Sequence, residues 1–123
     1  MIYRDTIEVT QTEITGYSPF GEPIYETTYT TVRGEVFAVN SVDLLAGGQV
    51  IAAGIRYRVI LAPEASLPDT PHDDTVRLGW GAYPIDHDDP FSVSSGMRID
   101  GGVERHVMRG RLHHLELVTQ AIA

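Results

Sequence analysis

Histidine and aspartate commonly bind metal ions, and in this chain of 123 residues they form two mixed runs and one histidine pair. The three runs are His72-Asp73-Asp74, Asp86-His87-Asp88-Asp89 and His113-His114. Imidazole combined with carboxylate suits zinc, and several carboxylate oxygens suit calcium or magnesium. None of the runs has the spacing of His-x-x-x-His or of an EF-hand loop, and adjacent residues of an extended strand point to opposite faces. We therefore predict solvated acidic loops and no metal site.

Nucleophilic and nucleotide-binding motifs are also absent from the sequence. The chain contains no cysteine, which excludes thiol catalysis, disulfides and cysteine-ligated metal sites. No Gly-x-Ser-x-Gly elbow and no glycine-rich phosphate-binding motif occurs. The tripeptide Ser94-Ser95-Gly96 is typical of a flexible loop rather than of a nucleophile. We predict that the protein is not an enzyme and that it uses no catalytic residue and no cofactor.

The charge of the chain also limits its partners. Its formal net charge is −8, and a surface this acidic does not attract nucleic acid or anionic lipid. All nine of its Lys and Arg residues are arginine, which suits protein interfaces, although a GC-rich genome explains the same bias. No apolar run approaches the roughly 20 residues of a membrane span, and the start lacks the apolar segment of a signal peptide. We expect a cytoplasm-like compartment.

The hydrophobic pattern indicates β-strands joined by turns. Ile7 and Val9 alternate with polar residues, residues 24–39 are rich in Thr, Tyr and Val, and residues 75–80 alternate cleanly. Residues 112–122 fit a helix or a strand, and their β-branched content favours a strand. The residues predicted to face the core are Val32, Val36, Val59, Leu61, Val76, Leu78 and Trp80.

These segments predict one all-β domain over residues 1–123. We expect a small antiparallel β-barrel with a protruding hairpin and long loops, and at most one short helix between Ser41 and Gly47. The longest irregular stretch, residues 81–102, contains two prolines and several serines. Loops of this length in a compact domain are usually functional or ordered by a neighbour.

Two segments are candidate subunit contacts. Residues 10–30 form the predicted hairpin, and its aromatic side chains Tyr17, Phe20 and Tyr25 need a partner to cover them. The second segment contains Arg105, Arg109 and Arg111 without any acid between them. It is either a solvated strand end or a contact with acidic loops of a neighbouring subunit, because Arg pairs bidentately with carboxylates.

Five segments, taken in their order along the chain, carry a resemblance to known proteins. They are Met1-Ile2-Tyr3-Arg4-Asp5-Thr6, Thr31-Val32-Arg33-Gly34-Glu35-Val36, Arg56-Tyr57-Arg58-Val59-Ile60-Leu61, Asp74-Thr75-Val76-Arg77-Leu78-Gly79-Trp80 and Gly110-Arg111-Leu112-His113-His114-Leu115-Glu116. Their order resembles that of the head-to-tail stopper proteins of long-tailed phages that infect actinobacteria. The resemblance covers most of the chain and is weaker over residues 82–103.

This resemblance implies a virion protein of the phage neck. Such a protein forms a homo-oligomeric ring of six or twelve copies, with the portal and adaptor ring above and the tail terminator below. Double-stranded DNA passes through the lumen without specific binding, which agrees with an acidic chain, so we expect acidic or neutral side chains on the channel wall. The alternatives are another neck or tail protein, such as an adaptor or a tail terminator, or a small metal-dependent enzyme or ligand-binding barrel that uses the His/Asp loops.

In relatives, a loop between the second and third strands reaches into the channel and closes it. The loop in that position here is residues 40–49, and its glycines can supply a hinge. Its body is apolar apart from one acid, so copies that meet on a ring axis would form an apolar plug. The gate candidates are Val42, Asp43, Leu44, Leu45, Gly47 and Gly48.

Replacing Leu44 and Leu45 together with Ser tests this gate. If the loop closes the channel, assembled heads that carry the variant leak DNA, and DNA retention in purified particles measures the effect. If the two leucines instead cap the core of their own subunit, the variant misfolds and no neck forms. Well-assembled heads that retain DNA normally would exclude this loop as the gate.

Overall fold

The computed structural model describes residues 3–39 and 55–120, which form six β-strands. The strands are β1 (Asp5–Tyr17), β2 (Pro23–Val39), β3 (Arg56–Leu61), β4 (Val76–Gly79), β5 (Ile99–Met108) and β6 (Arg111–Thr119). No helix occurs within the two described ranges. The loop 40–49 lies outside them, so the gate candidates Val42, Asp43, Leu44, Leu45, Gly47 and Gly48 stay sequence predictions.

All six strands belong to one antiparallel sheet in the order β4-β1-β2-β3-β6-β5. The predicted all-β fold is therefore confirmed, and β6 confirms the strand interpretation of the C-terminal segment. The sheet is not closed by a continuous ladder. Edge strand β4 meets the segment just before edge strand β5 through a single bridge, in which Leu78 and Met97 exchange hydrogen bonds of 2.7 and 3.1 Å. Because β4 has only four residues, it cannot pair along the ten residues of β5.

The curled sheet encloses one hydrophobic core. The predicted core residues Val32, Val59, Leu61, Val76 and Leu78 are buried, and Val36 and Trp80 pack partly buried against the same cluster. Buried residues from β1, β5 and β6 complete it, together with the connection after β3. The period-two pattern thus identified the inward face of these strands.

One side chain of β4 lies where its sequence pattern did not predict. Alternation with Val76 and Leu78 assigns Arg77 and Gly79 to the opposite face, which in a half-covered sheet is the solvent face. Arg77 is instead only 2% exposed. The reason is that residues 80–98, between β4 and β5, fold back over the outer face of β1 and β4, and Arg77 points into this covering segment.

The guanidinium of Arg77 donates hydrogen bonds to four backbone carbonyls. Nε reaches the carbonyl oxygen of Asp73 at 2.9 Å, and one terminal nitrogen reaches those of Ser92 at 2.7 Å and Ser95 at 2.9 Å. The other terminal nitrogen reaches the carbonyl oxygen of Phe91 at 3.0 Å. Burial lowers the pKa of Arg77 below its ordinary value, yet a guanidinium stays charged in proteins. One buried cation therefore orders the long loop from within its own chain.

Backbone contacts lock the covering segment onto β4. Gly96 donates its N–H to the carbonyl of Pro84 at 2.9 Å, and Asp86 donates its N–H to the Ser95 hydroxyl at 2.9 Å. Gly96 has a φ of +60°, and a Cβ at this position would lie 2.6 Å from the carbonyl oxygen of Leu78. Glycine is required here because the bridge at the sheet's open side leaves no space for a side chain.

We expect Arg77→Met to destabilise the fold by about 3 kcal/mol or more, because four backbone carbonyls, one of them in a buried contact and the others in partly buried contacts, would lose a charged donor. Urea denaturation measures this loss, and limited proteolysis should show cleavage within residues 80–98. Arg33→Met is the control, since Arg33 makes an exposed ion pair with Glu64 and its loss should change stability little. Equal stability of the two variants would mean that Arg77 does not organise the loop.

Leu78→Ala tests the core register independently. Leu78 is fully buried and lies at the bridge between the sheet edges. We expect a loss of about 2–5 kcal/mol from transfer and cavity formation, measured by thermal or urea unfolding. A loss below about 1 kcal/mol would show that the site is not enclosed in solution.

Candidate interaction surface

The β1–β2 hairpin extends beyond the rest of the sheet. β4 pairs with β1 only over Glu8–Gln11, and β3 pairs with β2 only from Gly34 onward. The last contact with the body is the Thr12 N–H, which donates to the carbonyl of Thr75 at 2.9 Å. Beyond this point the hairpin is a two-stranded ribbon, and both of its faces are open.

One face of the ribbon carries large apolar side chains. The register pairs Thr10 with Tyr29, Ile14 with Tyr25, and Tyr17 with Pro23, and opposed residues share a face. The exposed fraction rises outward along this face, from 45% at Tyr29 to 62% at Tyr25. We call this surface the aromatic face; its exposed apolar members are Ile14, Tyr17, Tyr25 and Tyr29.

The opposite face of the ribbon is acidic. Glu13 and Glu26 lie directly opposite each other in the register, and Gln11 opposes Thr28 next to them. Like charges in a directly opposed pair repel each other and favour a nearby cation. Ile24, two residues before Glu26 on β2, shares this face and is 49% exposed, so the two faces of the ribbon differ in charge and in aromatic content.

A tight turn presents Phe20 at the end of the ribbon. Ser18 donates its N–H to the carbonyl of Glu22 at 2.8 Å and accepts the Gly21 N–H at 2.9 Å, while the Ser18 hydroxyl accepts the Phe20 and Glu22 N–H groups. Gly21 has a φ of +80°, and Pro19 presets the turn. Phe20 is 92% exposed at this ordered tip, so a partner would meet it in a fixed position.

The base of the aromatic face is continuous with the covering segment. The His87 ring packs edge-on against Tyr29, with ring centroids 4.8 Å apart. Its Nε2 lies 2.6 Å from the Glu8 carboxylate on β1. The run containing His87 therefore contributes a wall of this surface.

The second predicted contact segment lies at the β5–β6 turn. Arg105 is bound within its own chain, to the Asp69 carboxylate at 2.7 Å and to the carbonyl of Leu67 at 2.7 Å. Arg109 and Arg111 are exposed, and neither makes an ion pair within residues 3–39 and 55–120. Met108 beside them is also exposed. Only the outer two arginines are thus available to a neighbour.

A cluster of histidines and glutamates lies on the outer face of β5 and β6. The register opposes His106 to His114 and Glu104 to Glu116. The two imidazole rings stack with centroids 4.5 Å apart, and His114 Nε2 lies 3.0 Å from Glu116 Oε1. His106 Nε2 lies 3.3 Å from Glu104 Oε2 and 3.7 Å from Glu116 Oε2. Arg58 pairs with Glu116 at 3.1 Å.

The pKa of Glu116 reflects these neighbours. Burial alone would raise the pKa of its carboxyl, but the hydrogen bond from His114 and the pairing with Arg58 outweigh burial and hold the pKa below its ordinary value. Glu116 is therefore a carboxylate at neutral pH.

The two loop runs predicted to be solvated do not converge on a common centre. Within the described residues, the metal-ligating side chains that come close together in a group of three are His106, His114 and Glu116. His72 is exposed, and Asp73 accepts a hydrogen bond from the Gln120 amide at 2.8 Å. The sequence interpretation missed the cluster because it depends on the pairing of two strands.

A β-bulge creates the histidine pairing. Met108 opposes Arg111 and Val107 opposes Leu112, and unbroken pairing would next oppose His106 to His113. The register shifts between His106 and Val107, which brings His114 opposite His106 instead. The alternating pattern Glu-x-His before the turn and His-x-Glu after it was the available signal, but it could not reveal the bulge.

In the described part of the chain no helix has the length and apolar character needed to cross a membrane.

Comparisons with known proteins assign neither a family nor a function. No protein-family model, no curated protein and no solved structure matches this chain.

Proposed function

We propose that this protein is a structural subunit of a phage neck, a head-to-tail stopper that assembles with copies of itself into a ring of six or twelve. The observation that carries the self-assembly is the aromatic face, which ends in a fixed and almost fully exposed Phe20. The segment order that resembles stopper proteins supports the assignment to the neck.

The ribbon has the physical properties of an assembly element. A two-stranded ribbon is marginally stable in water by itself, so contact with a partner would stabilise it. Tyrosine and phenylalanine provide large contact areas at low cost in conformational entropy, and they are enriched at interface centres. The turn already orders Phe20, which reduces the entropy lost on binding. An obligate interface on the order of 2,000 Å² would cover the aromatic face and its surroundings.

The two proposed assembly elements lie at the end of the sheet opposite to Val39 and Ile55. Neighbouring strands are antiparallel throughout, so β1, β3 and β5 share one direction. The ribbon tip and the β5–β6 turn therefore lie at one end of the sheet. Val39 and Ile55, which flank the undescribed segment, lie at the opposite end. In a ring, docking and closure of the channel would then use opposite ends of each subunit.

Charge supports a conduit role. With a net charge of −8, a ring of these subunits repels the phosphates of DNA that passes through it. The exposed Arg109 and Arg111 would face the acidic surface of a neighbouring protein rather than the lumen. An adaptor or a tail terminator would share these ring properties, and DNA leakage from particles with a serine-substituted gate distinguishes the stopper from both.

Replacing Phe20 and Tyr25 together with Ser tests the assembly. We expect the wild-type protein to form closed rings and the double variant to remain monomeric, because the apolar anchors of the contact are lost. Mass photometry and negative-stain electron microscopy measure the two states. Monomer stability should change little, since both side chains are exposed.

Val93→Ser is the matched control, because Val93 is an equally exposed apolar residue on the covering segment. This variant should assemble like the wild type. A wild-type protein that stays monomeric at every concentration, or a double variant that still forms rings, would contradict the proposal.

A further inference from the structure

We propose that Glu104, His106, His114 and Glu116 form a binding site for a late first-row divalent metal ion such as Zn²⁺. We call these four residues the β5–β6 tetrad. The inference does not depend on the proposed phage function, because it concerns different strands of the sheet and a different ligand.

The backbone places the tetrad correctly for chelation. Glu104 and His106 are two residues apart on β5, and His114 and Glu116 are two residues apart on β6. Side chains at this spacing share a face, and directly opposed residues of antiparallel strands have Cβ atoms about 4.5–5.5 Å apart. Four potential ligands therefore occupy the corners of a small square on one surface.

The ligand atoms are already close to coordination distances. Those of His106, His114 and Glu116 all lie within 4.8 Å of one another. Zinc bonds of about 2.0–2.1 Å in a tetrahedral site require ligand atoms about 3.4 Å apart. Small side-chain rotations suffice to close the difference, and Glu104 already lies 3.3 Å from His106 Nε2.

The donor set selects the class of ion. Two imidazole nitrogens with carboxylate oxygens suit Zn²⁺, Co²⁺, Ni²⁺ and Cu²⁺. Calcium and magnesium prefer sites made of oxygen ligands. The tetrad also combines support with access, because His114 is buried and Glu116 is partly buried, while His106 and Glu104 are more open to solvent.

Two neighbouring groups change the metal affinity of the β5–β6 tetrad in opposite directions. His113 Nδ1 lies 2.7 Å from His114 Nδ1, so a proton on His114 Nδ1 can be shared with His113 and leave the Nε2 lone pair for the ion. An ion bound between His114 Nε2 and Glu116 takes the place of any proton on that nitrogen, and the displaced proton leaves to solvent. Arg58 beside Glu116 opposes a second positive charge, so this cation lowers the affinity.

A bound ion would fasten an edge of the sheet. β5 has a ladder partner on one side only, and register shifts on both sides of the segment Glu104–His106 interrupt its pairing with β6. Two ligands from each strand would join the strands across this short ladder. Metal binding should therefore raise the unfolding temperature of the protein.

Isothermal titration calorimetry with Zn²⁺ on chelator-treated protein tests the proposal, with Mg²⁺ as the negative ion. We expect Zn²⁺ to bind with one ion per chain and Mg²⁺ not to bind. His106→Ala and His114→Ala should each weaken Zn²⁺ binding at least tenfold and abolish the rise in unfolding temperature. The exposed His72→Ala is the matched control and should bind like the wild type.

A second measurement on the same variants reports the coordination geometry of the bound ion. Visible absorption of the Co²⁺-loaded protein should show four-coordinate geometry that His106→Ala removes. His106 is half-buried, so its variant decides the matter if His114→Ala does not fold. Wild-type protein that does not bind Zn²⁺, binding that survives His106→Ala, or an equal loss in His72→Ala would each overturn the proposal.

Discussion

The arrangement of the outer face depends on one buried cation. Arg77 makes no ion pair within the described residues, and its guanidinium donates hydrogen bonds to four backbone carbonyls. The Phe91 ring, 5.8 Å from its central carbon, and the charges of nearby aspartates also favour the cation. A charge in such a place is costly unless every donor is satisfied, so the covering segment must adopt the conformation that supplies these carbonyls. In this conformation the segment holds His87 against Glu8 and Tyr29. The ordered covering segment therefore also fixes the base of the projecting ribbon, through the contacts of His87.

The ribbon then behaves as a stiff extension of the body rather than as a loose hairpin. Its base is fixed by β4 and by the packing of His87, and its tip is fixed by the hydrogen bonds around Ser18. Between these two points no segment within residues 3–39 and 55–120 covers the exposed aromatic face. A rigid apolar surface loses little entropy when it binds, which favours specific association over nonspecific clustering. The acidic pair Glu13 and Glu26 on the reverse side makes the alternative face unfavourable for the same contact.

The sequence predicted those features that depend on local pattern. Period-two alternation identified the strands and the inward residues such as Val59 and Leu78, and the sequence also predicted the hairpin over residues 10–30. The sequence did not predict the surroundings of side chains that contact a segment distant in the chain. Arg77 has the position of a solvent-facing residue in its strand, and only the folded-back segment buries it. The pairing of His106 with His114 depends on a bulge, which shifts the register by one residue and reverses the facing of every side chain beyond it. The sequence also predicted a barrel, whereas the sheet is open. The reason is that β4 has only four residues, and a single bridge joins it to the segment before β5.

An open sheet has two edges, and the way these edges are protected bears on how the protein assembles. Exposed edge strands invite pairing with other chains. Here β4 is short and its edge is occupied by the bridge to Met97, while on β5 the Val103 N–H donates to the carbonyl of Asp69 at 2.8 Å and the Arg105 side chain lies across the same region. Strand addition at either edge would first have to break these contacts. Association through side chains of the ribbon would break none of them, so the proposed assembly through the aromatic face leaves the contacts at β4 and β5 intact.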